Sequence, residues 1–305
     1  MSNYSMGMSK QKTVLVLGAS GMLGNAVYRY FLNTGRYTTF GTLRDIDPSS
    51  FFDERERDNL ICGIDVSSLG AIKQLFMEYE PNVVINCIGV IKQSDAIKDP
   101  RSVISVNSLL PHELNEMCGL IGAKLVHIST DCVFTGAKGM YKENDFCDSR
   151  DLYGLTKHLG EVDDNKSVTI RTSIIGHEIN SKLSLIDWFL SSKNTVGGYS
   201  RAIFSGLPTV ALARIIHDHV IPNDQLCGLY HVSSDPITKF DLLSLVMATY
   251  DHSIDLIDDS SLVIDRSLDS RKFRLEAKWS PEQWASLVDE MHKDFKMTNA
   301  RSDNV

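Results

Sequence analysis

The sequence predicts an α/β fold: a doubly wound parallel sheet carrying a small C-terminal lobe. Three observations predict it. Short β-branched runs alternate with amphipathic stretches over the first two thirds of the chain. Several of these runs are apolar on both faces, as strands covered by helices on either side must be. A glycine-rich turn joins the first run to the first amphipathic stretch, the junction expected where a parallel strand feeds a helix. A chain of 305 residues is long enough for one large α/β domain bearing a smaller lobe.

The strands are expected at Thr13–Leu17, Thr38–Thr42, Leu60–Asp65, Asn82–Cys87, Lys124–Ser129, Val168–Arg171 and Leu229–Val232. Helices fall between them at Met22–Asn33, Leu69–Tyr79, Val103–Leu120 and Leu152–Asp163, with apolar residues three and four apart. The rhythm changes after Gly176. Leu183–Ser192 and Pro208–Val220 read as helices, with a loop over Asn194–Gly206 between them. Helices at Thr238–Tyr250 and Pro281–Phe295 follow, Pro281 suiting a first-turn position. This divides the chain into a nucleotide-binding type of domain over 12–175, completed by 205–235, and a lobe from 176–204 and 236–297. Residues 1–11 and 298–305 read as tails.

Composition narrows the function classes. Hydrophobic residues make up 43% and charged residues 23%, the balance of an ordinary globular protein. A formal net charge of −8 argues against nucleic-acid binding, which runs on excess Lys and Arg. The six cysteines form no CxxC pair, so no metal site and no disulfide framework is expected. No apolar run reaches the roughly 18–20 residues of a membrane span, and the polar N-terminus lacks a signal-peptide core. The cytoplasm is the expected compartment.

The turn Gly18-Ala-Ser20-Gly21-Met22-Leu23-Gly24 is built for a dinucleotide. Gly18 permits the tight turn and Gly21 lets the backbone approach a pyrophosphate. Gly24 lets the helix pack close to the sheet with its N-terminal amides aimed at the phosphates. Ser20, Met22 and Leu23 belong to the same cofactor contact. The second strand ends in Thr42 and Arg44 where an acid would read the ribose 2′-hydroxyl of NAD. Arg44 suits a 2′-phosphate and favours NADP(H), while Asp45 beside it keeps NAD(H) open. Asp65 is placed to bond the adenine amino group and Val66 to line its pocket. Asn86-Cys87-Ile88-Gly89 ends the fourth strand at the carboxyl edge of the sheet, where Gly89 lets backbone approach the cofactor. Asn86 itself reads equally well as a cap or loop residue.

Of ten tyrosines only Tyr153 has a lysine four residues on, and residues four apart share a helical face. A phenol titrates near 10, and a fixed Lys157 cation would favour the tyrosinate and grip ribose hydroxyls. Strand five delivers Ser129 and Thr130 to the same edge, where a hydroxyl can donate to a substrate carbonyl. Asp131 reads as a cap for the following turn and His127 as a packing residue within the strand.

Together with Ser129-Thr130-Asp131-Cys132-Val-Phe134, these motifs resemble the extended short-chain dehydrogenase/reductases, and among them the dTDP-4-dehydrorhamnose reductase family. The resemblance covers nearly the whole chain and implies a Rossmann domain with a sugar-nucleotide lobe. It implies Thr130, Tyr153 and Lys157 as the catalytic triad, Asn107 as a cofactor residue, and Val90, Cys132 and Ser173 as substrate contacts. It further implies reduction of the 4-keto group of a nucleotide-linked 6-deoxyhexose, with a homodimer as an allowed assembly. Arg171, Arg201 and Arg271 are candidates for the substrate diphosphate. Cys132 stands where the family commonly has Tyr, and 194–201 does not align to a dTDP-sugar pocket, which leaves a UDP-linked sugar open. Epimerase chemistry uses the same Tyr–Lys pair. Dehydratases carry Asp-Glu after the Thr, which Asp131-Cys132 does not supply. A non-catalytic regulatory subunit is the remaining reading.

Overall fold

Seven parallel strands form the central sheet in the computed structural model, which describes residues 11–44, 47, 51–179 and 183–302. In chain order the first six are β1 (Thr13–Leu17), β2 (Thr38–Thr42), β3 (Leu60–Ile61), β4 (Val83–Asn86), β5 (Lys124–Thr130) and β6 (Val168–Thr172). They lie side by side in the order β3, β2, β1, β4, β5, β6, and Gly228–His231 adds the far edge beyond β6. The order reverses between β1 and β4, which are paired Val14 to Val83 through Leu17 to Asn86. At such a switch point the connecting helices diverge to opposite faces and open a crevice at the carboxyl ends of the strands.

Alternation along each strand splits the core in two. Val14, Val16, Ile85 and Val126 face a cluster with the helices Met22–Thr34, Thr209–Ile215 and Trp284–Ser302. Leu15, Leu17, Val84 and Leu125 face the other side, against the helices Leu69–Tyr79 and Leu110–Ile121. The sheet is thus buried on both faces. Among the described residues no helix is long and apolar enough to cross a membrane.

Several elements depart from the sequence reading for identifiable reasons. The third strand is only Leu60–Ile61, because Gly63 adopts φ +75° and turns the chain. The helix expected over 103–120 is broken into Pro100–Ile104, one π turn at Ser105–Leu109, and Leu110–Ile121. Pro111 has no N–H to give the Asn107 carbonyl four residues back, so the ladder widens there. The helix Leu152–Leu159 ends early at Gly160, where a Cβ would lie 1.9 Å from that same Asn107 carbonyl oxygen.

The segment read as a loop over 194–206 contains two strands. Val196–Tyr199 pairs in parallel with Leu256–Asp259, and Ala202–Phe204 lies between Ile237–Thr238 and Ile264–Asp265. Gly197 and Gly198 hide the alternation that would have marked the first of them. The last helix starts at Trp284, not Pro281, and runs to Ser302 through residues read as tail.

Candidate active site

The glycine turn stands at the carboxyl end of β1. Gly18 has φ +83°, and a Cβ at Gly24 would lie 2.0 Å from the Gly18 carbonyl oxygen. Only glycine allows the helix Met22–Thr34 to start this close to the strand. Its N-cap, Gly21, is exposed and offers no side-chain cap. The first-turn amides around Met22 and Leu23 are therefore open to an anion, with Ser20 half-buried beside them. At the end of β2, Arg44 is exposed and acts on the Asp65 carboxylate, which accepts the Ser67 amide at 3.0 Å. That backbone hydrogen bond is the main cause holding Asp65 below the usual carboxylate range. Val66 is half-buried next to it, and Asp45 lies outside the described residues.

Beyond β4 the chain runs Cys87-Ile88-Gly89-Val90 across the crevice. Ile88 packs against Gly18, whose added Cβ would come within 2.8 Å of its side chain. Burial pushes the Cys87 thiol up to about 12, so it is an inert wall and not a nucleophile. Asn107, on the π turn, clamps this segment from behind. Its Oδ1 accepts from Val90 N at 2.8 Å and its Nδ2 donates to Val90 O at 3.0 Å. Asn86 is fully buried and its Oδ1 caps the Ile88 amide at 3.1 Å.

The helix Leu152–Leu159 is capped by Asp151, which accepts the Gly154 amide at 2.9 Å. The helix turns Tyr153 toward β5, where its phenol comes close enough to the Thr130 side chain to be acted on by it. The Thr130 hydroxyl accepts the Cys132 amide at 3.1 Å and donates to Asp131 Oδ1 at 3.2 Å. Thr130 is therefore the cap of this turn, a role the sequence suggested for Asp131. Ser129 points to the opposite side of the strand and donates to Glu161 at 2.7 Å, which leaves Thr130 as the hydroxyl beside Tyr153. Lys157 is buried and donates to the Ile128 carbonyl at 2.7 Å.

The titration of this pair differs from the expectation of a lysine-stabilised tyrosinate. Burial, with Cys132 nearby, raises the Tyr153 phenol above its ordinary value, so the hydroxyl is held protonated. Burial also lowers the Lys157 ammonium to about 8, against the opposing pull of Glu161. Lys157 is buried and Tyr153 half-buried, and desolvation disfavours whichever form carries charge. In this state Tyr153 is an acid with a proton to give.

Arg171 is not free to bind a diphosphate. It is buried, and its Nε and Nη2 donate to the two Glu161 carboxylate oxygens at 2.6 and 2.7 Å. Strand alternation turns it away from the crevice, and its guanidinium also donates to the Cys147 thiol at 3.2 Å. Cys147, His158 and Glu161 come together with metal-ligand atoms within 4.8 Å of one another, and the Arg171 cation already supplies the positive charge there. Arg201 is exposed. Arg271 is largely exposed and paired with Asp269, lining a cavity of about 480 Å³ between 234–236 and 268–274 that does not touch Tyr153. Ser173 is half-buried just past β6.

Residues 12–297 match the model of the family described as RmlD substrate binding domain. The chain belongs to this family. One relative, the dTDP-4-dehydrorhamnose reductase of Aggregatibacter actinomycetemcomitans, is 25% identical over 81% of this chain and 79% of its own length. The methionine adenosyltransferase 2 subunit beta of Mus musculus is 30% identical over 49% of this chain and 42% of its own. The chain spans less than half the length of several curated relatives that it matches. A solved dTDP-4-dehydrorhamnose reductase from Bacillus anthracis, in complex with NADP, superimposes with a TM-score of 0.76. It shares 21% identity and covers 96% of this chain and all of its own, which establishes the Rossmann fold.

In this RmlD-family chain the C-terminal third contributes cations that sequence reading missed. Lys239 and Arg266 both act on Asp131 and Cys132, and Arg266 donates to the Phe134 carbonyl at 2.9 Å. Lys92 stands 5.7 Å from the centre of the Tyr153 ring and pairs with Asp151 at 2.7 Å. Burial lowers the Lys239 ammonium, the mark of a charge withdrawn from water beside the turn at Asp131. No local motif surrounds Lys239 or Arg266 in the sequence. Only the fold carries them to the end of β5, so they were not legible in advance.

Proposed function

We propose that this chain reduces the 4-keto group of a nucleotide-activated 6-deoxyhexose, dTDP- or UDP-linked, using NADPH in preference to NADH. The observation that carries this reading is Tyr153 facing Thr130 at the carboxyl end of β5, with Lys157 one turn on along the same helix and β5 next to β4 in the sheet. The open amides at Met22 and Leu23 fit a pyrophosphate, Arg44 fits a 2′-phosphate, and Asp65 with Val66 fits the adenine end. When bound, the dihydronicotinamide supplies hydride to the carbonyl carbon. Tyr153 gives its proton to the oxygen as charge develops there, and the Thr130 hydroxyl turns its one proton from Asp131 Oδ1 to the same oxygen. Lys157 holds ribose hydroxyls. Lys239 and Arg266, with Lys92, are the cations suited to the substrate diphosphate, in place of Arg171. The lobe of 176–204 and 236–297 serves as the substrate wall.

The test is incubation of the purified protein with NADPH and a panel of dTDP- and UDP-4-keto sugars, following loss of dihydronicotinamide absorbance. Oxidation stoichiometric with reduced sugar supports the proposal. Isomer formation without net oxidation would make the protein an epimerase. The mouse subunit beta relative favours a second reading, a non-catalytic regulatory subunit. That reading gains if NADPH binds but no keto sugar is turned over.

A further inference from the structure

Behind Lys157 lies a buried polar chain that the proposed chemistry does not use. His127, in the middle of β5, has no exposed surface, and neither does Asn86 at the end of β4. The two residues are direct partners across the parallel pairing of these strands. Asn86 Nδ2 lies 3.2 Å from His127 Nδ1, and His127 Nε2 lies 3.5 Å from Lys157 Nζ.

The hydrogen-bond logic fixes where each proton sits. The Asn86 carboxamide cannot be turned over, because its Oδ1 accepts the Ile88 amide at 3.1 Å and an NH₂ there would face another donor. Its Nδ2 therefore points at His127, and an amide NH₂ only donates. His127 Nδ1 must accept, so the single proton of the neutral ring is on Nε2. Burial, reinforced by the Lys157 charge and His112, holds the ring neutral well below the usual histidine range. The Nε2–H is directed at the Lys157 amine. An ammonium there meets a second donor, whereas a free amine presents a lone pair to it.

We propose that His127, locked by Asn86 with its proton on Nε2, is a positioning residue that sets the place and the proton state of the Lys157 amine. Lys157 is then a group that exchanges charge during function and not a permanent cation. The groups facing it are consistent with this division. The Ile128 carbonyl of β5 anchors it at 2.7 Å, the Cys87 thiol approaches from the end of β4, and Tyr153 lies one turn back on its own helix. The Glu161 carboxylate favours the ammonium, but its oxygens are already engaged by Arg171, Ser129 and His158. The significance for turnover rests on the reductase reading; the tautomer and the lysine titration do not.

The experiment has two arms on the full-length protein. Nitrogen-15 spectroscopy of the histidines reads the His127 tautomer, and labelled-lysine spectroscopy reads the Lys157 titration, both without cofactor or substrate. The wild type should show a pyrrole-type Nε2 and a pyridine-type Nδ1. Asn86→Asp keeps the cap on Ile88 but turns His127 Nδ1 into a donor, which presents a bare Nε2 to Lys157. The Lys157 midpoint should then rise by about one to two pH units, the scale of a hydrogen bond gained by a charged group. His127→Phe, which keeps the ring but no N–H, should also raise the midpoint, by less. The pH profile of kcat on a keto sugar should shift in step. A wild-type Nδ1–H tautomer, or a Lys157 midpoint unmoved in both variants, would overturn the proposal. If the spectra behave as expected and no keto sugar is reduced, the reductase reading fails and this inference stands.

Discussion

Glu161→Gln is expected to destabilise the protein by about 3 kcal/mol, a value that follows from the geometry around the carboxylate. Glu161 is buried beneath β5 and β6, accepting two hydrogen bonds from Arg171, one from Ser129 at 2.7 Å and one involving His158 at 2.8 Å. Burial alone would raise its carboxyl, but Arg171 and then His158 lower it, to about 2 from an ordinary 4.5. At about 1.4 kcal/mol per pH unit, that difference corresponds to roughly 3 kcal/mol. It also agrees with the 3–5 kcal/mol roughly typical of removing one partner of a buried ion pair. Because the folded value is the depressed one, the contribution is complete above about pH 5 and disappears as pH falls toward 2. Urea unfolding at neutral pH and at pH values down this window measures it. The variant should lose the acid limb of the stability profile that the wild type shows. Arg171→Met should cost a similar amount and should act on stability, not on substrate affinity. A Glu161→Gln protein within about 1 kcal/mol of wild type would refute the buried-pair argument. So would an Arg171→Met protein of normal stability and much raised KM, which would return Arg171 to the diphosphate.

Three further outcomes are expected. Tyr153→Phe keeps the ring and removes only the hydroxyl, so kcat should fall by roughly 10²–10⁴ with NADPH affinity almost unchanged. Lys157→Ala should lower both together, and steady-state kinetics beside fluorescence titration separates the two patterns. Arg44→Ala should narrow any preference for NADPH over NADH, measured as the ratio of their dissociation constants; an unchanged ratio would remove Arg44 from the 2′-phosphate site. Lys239→Ala and Arg266→Ala should raise KM for the sugar nucleotide while leaving NADPH binding intact, and the opposite pattern would place these cations on the cofactor.

The sequence by itself determined the chain order of the seven strands of the central sheet, the glycine turn and the pairing of Tyr153 with Lys157. Each is a local property: side-chain alternation marks a buried strand, four-residue spacing marks one helical face, and Gly18 and Gly24 answer to backbone geometry within seven residues. The strands at Val196–Tyr199 and Ala202–Phe204 were not legible, because they are held by partners more than thirty residues away, and in the first Gly197 and Gly198 erase the alternation. The tertiary structure alone decided which arginine is which. Arg171, Arg266 and Arg271 look alike in the sequence, yet one is sealed against Glu161, one acts on Asp131 at the end of β5 and one pairs with Asp269 on the surface. It alone set the surroundings of Tyr153 and Lys157 as well. Proximity along a helix suggests that lysine lowers tyrosine, but burial acts on both, keeping Tyr153 protonated and weakening the Lys157 ammonium. Charge and proton state depend on how much water is removed and what remains to bond, and those are settled only when β4, β5 and the helix Leu152–Leu159 close around the site.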